Sequence, residues 1–163
     1  MDIQKIKSLV ETNKRVSELN KQNYFFSSVM LVTSALESKA NSALVNFYNR
    51  EKNEIASFNA TENGMEFSGL SPPMKETEIM PLEIDKAKMD PEEAMKKCLA
   101  KAPKESISRV VSVLRTSTNA NAETGPTWQV NIFLKNFNVI STVIDAETGE
   151  EIASSKMSLS SKL

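Results

Sequence analysis

Two groups of carboxylates are the residues in this chain best placed to do chemistry. Asp145 and Glu147 flank a turn near the C-terminus, and Asp90, Glu92 and Glu93 crowd the start of a helix. Paired carboxylates can exchange protons with a substrate or hold calcium. Each group also has a simpler use. An Asp at a turn bonds its own backbone, and acids in a first helical turn meet the positive end of the helix dipole. The simpler use is preferred for both. No histidine is present, which excludes Ser-His-Asp and Cys-His catalysis and zinc sites that need imidazole. The single cysteine, Cys98, excludes an all-thiolate metal site and an internal disulfide. It shares a helix face with Met95 and Leu99 and reads as a small core residue. Only 4 glycines occur, none in a phosphate-cradling loop. The chain reads as no enzyme, with no cofactor and no metal.

The elements around these residues follow from periodicity. Ile3, Ile6, Val10, Asn13, Val16 and Leu19 recur at helical spacing, which predicts an amphipathic helix over residues 2–21. Residues 24–35 fit either a helix face or a strand; their Tyr, Phe, Val and Thr content favours the strand. Strands are predicted at 43–49 and 54–60, joined by a polar hairpin at Arg50–Asn53. Asn63-Gly64 is a turn signal, because both residues accept positive φ. A strand follows at Met65–Ser68. Gly69-Leu70-Ser71-Pro72-Pro73 ends it, since proline suits neither a helix interior nor a central strand. Glu76–Asp85 alternates weakly and is expected as a connecting or edge strand.

The second half opens on Asp90 as N-cap, Pro91 at the first helical position and Glu93 at the third. Ala94, Met95, Cys98, Leu99 and Ala102 form one apolar face, and Pro103 stops the helix. Strands are expected at 107–116, 127–134, 137–145 and near 151–157, with a soft loop at Asn119–Pro126 and a frayed tail SLSSKL. Trp128, Val130, Ile132 and Leu134 alternate onto one face, to be covered by the helix.

Residues 43–67 and 128–152 also align with each other at an offset of 85 (149 − 64), without a gap and with 7 identities in 25 positions, among them Val45/Val130, Asn46/Asn131 and Gly64/Gly149. The reading is an α+β fold of two helix-plus-antiparallel-meander repeats, with helices on one face of the sheet. The divisions are 1–70, a linker or edge strand at 71–86, and 87–163.

The second half resembles the PepSY domain. The resemblance rests on the capped helix DPEEAMKKCLAKAP, then a β-branched strand, then Trp128-x-Val130, and a strand closing in VIDAETGE from Val143 to Glu150. It covers about 90–153. The first half follows in outline, with Ala43 in place of the aromatic, Ala60 in place of the Asp and Asn63 in place of the Thr. The resemblance implies a PepSY or cystatin-like fold and a non-catalytic module of the kind found in metallopeptidase propeptides and envelope proteins, which bind or inhibit peptidases. It implies structural roles for Trp128 and Val130, packed under the helix, and for Asp145 and Gly149, forming the turn. It supplies no catalytic residue.

Charge narrows the partners. With 20 basic and 21 acidic residues interspersed, no basic stripe exists for nucleic acid. The N-terminal stretch is broken by charges and is not a signal peptide. The longest hydrophobic run, Tyr24–Leu36, carries Ser27, Ser28, Thr33 and Ser34 and is too short to span a bilayer. The chain as it stands reads as cytoplasmic, and as exported if a leader precedes it. Phe47, Tyr48, Phe133 and Phe137 are expected off the Trp128 face or in turns, as a surface for a protein or peptide partner. A homodimer in which the meanders extend one another is compatible with this. The alternative is a small-molecule-binding or weakly catalytic domain with a carboxylate such as Asp145 in a cavity.

Overall fold

In the computed structural model, which describes residues 1–34, 40–74, 78–117 and 125–159, the N-terminal helical segment is two helices. α1 (Ile3–Thr12) starts on Asp2, whose carboxylate accepts the Lys5 N–H at 2.7 Å. Asn13 leaves helical geometry, and its side chain accepts from the N–H groups of Arg15 and Val16 to start α2 (Lys14–Asn20). A single helix over 2–21 fails there because an Asn side chain competes for the backbone and favours a cap over a helix interior. Ile3, Ile6, Val16 and Leu19 stay buried across the break.

Eight strands follow: β1 (Phe25–Ser34), β2 (Ser42–Asn49), β3 (Glu54–Thr61), β4 (Gly64–Ser71), β5 (Ile107–Thr116), β6 (Pro126–Leu134), β7 (Asn138–Asp145) and β8 (Glu151–Ser158). The ambiguous stretch after Asn23 is thus a strand. All neighbours are antiparallel, in the order β4-β3-β2-β1-β5-β6-β7-β8. β1 and β5 meet in the middle, where Val32 lies opposite Val111. α3 (Pro91–Leu99) opens on a capping box between Asp90 and Glu93, with Pro91 at its first position, and packs on β6 and β5.

This architecture overturns the expectation of two helix-plus-meander repeats. The described residues form one continuous antiparallel sheet with three short helices, and one core cluster that draws residues from both halves, from Met1 to Ala146. The ungapped internal alignment fails as well. It sets Ile55 on Ile140, yet Ile55 lies across from Tyr48 on the open face, whereas Ile140 lies across from Ile132 on the helix side. Side chains alternate along a strand, so one extra residue in the Arg50–Asn53 turn is enough to exchange the faces.

Two smaller expectations also change. Residues 75–77 lie outside the described residues, and 78–83 form no ladder; Ile84–Lys86 is a single 3₁₀ turn. Pro81 withholds a donor, and the segment is held by isolated bonds. Leu82 donates its N–H to the Phe26 carbonyl at 2.8 Å, and Thr116 Oγ1 donates to the Pro81 carbonyl at 2.6 Å. The soft loop at Asn119–Pro126 falls largely outside the described residues, as do residues 160–163 of the tail.

The core lies between the three helices and one face of the sheet. Trp128, Val130 and Ile132 of β6 are fully buried there, beside Leu114, Ile144, Phe47 and Phe58. Among the described residues, the opposite face carries no helix. Leu44, Met30, Val113 and Gln129 form one cross-strand row on it, and Val32 is 53% exposed.

Candidate functional site

The four residues expected to form a partner surface are not brought together. Phe47 belongs to the core: it is buried, stacked on Phe26 with centroids 5.4 Å apart and edge-on to Phe58 at 5.6 Å. Alternation along β2 sets it with Ala43 and Val45, so it offers nothing to a partner. Its alignment with Ile132, on the Trp128 face, was the signal in the sequence that could have placed it there. Tyr48 lies on the open face against Phe25 and donates to Asn53 Oδ1 at 2.9 Å. Phe133 is on the same face but three strands and several rows away, covered by the Arg109 guanidinium at 4.5 Å. Phe137 stands apart in the β6–β7 turn, 68% exposed and at φ 62°.

The carboxylates are occupied structurally. Asp145 Oδ1 accepts the N–H groups of Glu147 and Thr148 at 2.7 and 2.9 Å, and Gly149, at φ 77°, closes that turn by donating to the Asp145 carbonyl at 2.9 Å. Glu147 pairs with Lys88 at 2.8 Å. Asp90 accepts the Ile3 N–H at 3.2 Å besides capping α3. Among the described residues, no group of three His, Cys, Asp or Glu side chains stands together to hold a metal. Cys98 is buried, and burial pushes its thiol pKa up, opposed by the Thr142 hydroxyl and the Lys101 charge. A thiol held protonated is a poor nucleophile.

What remains open is the edge and the uncovered face of the sheet. The two edges differ. β4 is guarded: its pairing with β3 slips between Ser57 and Phe58, Arg15 covers Phe67 at 3.9 Å, Asn13 Nδ2 donates to the Met65 carbonyl at 2.9 Å, and Pro72-Pro73 follows. Bulges and prolines of this kind blunt an edge against further pairing. β8 also slips against β7, between Val143 and Ile144 at its start, but it carries no proline and all eight of its residues are exposed. Leu159 donates its N–H to the Phe137 carbonyl at 2.8 Å, which fixes the alternation along the ladder. The peptide groups of Met157, Ser155 and Ala153 face β7, and those of Ser154 and Lys156 face outward. Phe137, Met157 and Leu159 are exposed apolar residues at one end of this edge.

The second open feature is a groove of about 220 Å³ on the uncovered face, between the sheet and residues 78–80. Ser28, Ile55, Val113 and Arg115 line it from the sheet, and Ile79 and Met80 from the crossing segment. Ser28 and Arg115 are direct cross-strand partners. Sequence reasoning missed this feature, because its polar residues come from strands in different halves of the chain.

No protein-family model matches the chain, and no curated protein matches it. Among solved structures, the chain is similar to one described as a putative lipoprotein from Clostridium difficile 630. That match has a TM-score of 0.51 at 13% identity, covering 88% of this chain and 89% of the other. At that identity the likeness is one of fold. No helix among the described residues is long and apolar enough to cross a membrane.

Proposed function

We propose that the chain is a non-catalytic binding module that takes a protein or peptide partner by strand addition at β8. The observation that carries this reading is the free edge: eight exposed residues, with the peptide groups of Ser154 and Lys156 turned outward. An extended segment laid along such an edge gains main-chain hydrogen bonds, and side-chain pockets beside the edge select its sequence. Phe137, Met157 and Leu159 supply that selective contact at one end. The PepSY-like stretch around Trp128 and Asp145–Gly149 supports the same class of role and makes a peptidase the partner class to look for. The solved structure of similar fold is described as a putative lipoprotein, which favours an exported setting. Asp145 lends the catalytic alternative no support, since its carboxylate is spent on its own turn.

The test is native mass spectrometry of the chain purified gently from its own host, beside the Lys156→Pro variant. Proline at an outward-facing edge position removes a donor that the β7–β8 ladder does not use. The variant therefore keeps its circular dichroism and unfolding midpoint. A partner retained by the native chain and lost by the variant supports the reading. A bare species, or a partner retained by both, overturns it.

A further inference from the structure

The groove on the uncovered face combines groups that a packing defect would not need. The segment above it is tied down at Pro81 and Leu82 by the Thr116–Pro81 and Leu82–Phe26 bonds. At its base, Ser28 Oγ accepts from Asn46 Nδ2 at 3.1 Å, which leaves the hydroxyl proton available to a ligand. Arg115 gives one Nη2–H to Gln129 Oε1 at 2.9 Å, and the rest of its donor fork has no partner among the described residues. The two residues are opposite each other on adjacent strands and both line the groove, so each offers it a donor. Hydroxyl and guanidinium donors both suit a carboxylate.

Glu78 lines the same groove and has neither ion pair nor hydrogen bond among the described residues; no salt bridge joins it to Arg115. A simple carboxylate would bond to Arg115 and Ser28 but sit beside the like charge of Glu78. A simple amine would do the reverse. A zwitterion satisfies both. Between the charges the walls are apolar, formed by Ile55, Ile79, Met80 and Val113. The volume, about 220 Å³, lies below the roughly 300–1,000 Å³ of pockets for drug-sized ligands, so the occupant is small.

We propose that this groove binds a free aliphatic α-amino acid. The carboxylate lies on Arg115 and Ser28, the ammonium on Glu78, and the side chain against Ile55 and Met80. The site is on the face of the sheet and does not involve β8, so Lys156→Pro leaves it intact and the two proposals fail separately.

The experiment titrates the full chain with L-leucine, following the methyl resonances of Ile55 and Val113 by NMR and the affinity by calorimetry. Two analogues each lack one charge: 4-methylpentanoate has no ammonium and 3-methylbutylamine has no carboxylate. The expected result is a saturable shift with leucine and about tenfold or weaker binding of each analogue, the scale of a lost hydrogen bond to a charged group. Arg115→Gln and Glu78→Gln each weaken leucine by a similar factor, with unchanged circular dichroism because both side chains are exposed. The absence of a saturable shift overturns the proposal, as does an analogue that binds as tightly as leucine. A loss confined to one of the two variants means a singly charged ligand and overturns the zwitterion.

Discussion

Trp128 donates its indole N–H to the carbonyl of Met89 at 2.8 Å, joining the middle of β6 to the residue that leads into α3. Both groups are buried, so the bond is made in a medium where an unpaired carbonyl is costly. Trp128→Phe removes the donor, leaves that carbonyl unpaired and opens a void under α3. We expect a loss of about 2–4 kcal/mol in unfolding free energy. Urea unfolding followed by far-UV circular dichroism checks it, since the variant has no tryptophan to report fluorescence. A loss below about 1 kcal/mol would mean that the lead-in to α3 is held by its other contacts.

Tyr24 is buried, and its hydroxyl donates to Glu54. Burial and that bond push its pKa up from 10.0 to about 12. The neutral phenol is favoured in the fold, so its contribution to stability is complete below pH 10. It declines as pH rises toward 12, where the unfolded chain ionises and the folded chain resists. Unfolding midpoints measured across that window should fall more steeply for the native chain than for Tyr24→Phe. Subtracting the variant removes the lysines that titrate in the same range. Parallel curves would show that Tyr24 ionises alike in both states.

Ser112 sits on β5 in the core, and its hydroxyl has no hydrogen-bond partner among the described residues. An unpaired buried hydroxyl costs stability, and alanine fits the same space. Ser112→Ala is therefore expected to raise the urea midpoint, by about 1 kcal/mol in free energy. A loss instead would show that the hydroxyl holds a buried water worth keeping.

What could be read from the sequence was mainly local. The cap at Asp90, Pro91 and Glu93 depends on residues within one turn, and the alternation of Trp128, Val130 and Ile132 depends on a period of two; neither needs distant partners. The meeting of β1 with β5 has no local signature, because Val32 and Val111 are paired only once the whole chain is folded. For that reason two repeats were expected where one sheet forms. The surface expectation for Phe47 fails because strand parity cannot be fixed without knowing which face the helices cover. Ser28 and Arg115 carried no motif at all. Their significance comes from being opposite each other and from a segment, 78–82, whose single hydrogen bonds no periodicity announces.

Phe137 combines two liabilities. Its φ of 62° is one that a bulky side chain rarely adopts, and its ring is 68% exposed. The first costs about 1 kcal/mol relative to glycine, and the second gains little burial in return. Phe137→Gly is therefore expected to raise the unfolding free energy by about 0.5–1 kcal/mol, a rare direction for the removal of a large aromatic. Its main-chain carbonyl still accepts from Leu159, so the β7–β8 register is kept. If β8 is the docking edge, the same variant loses affinity for the partner while it gains stability. Those opposite signs separate a contact residue from a structural one. A variant that is less stable than the native chain would show instead that the ring packs on Met157 or Leu159 to hold the edge in place, and would move the selective contact elsewhere along β8.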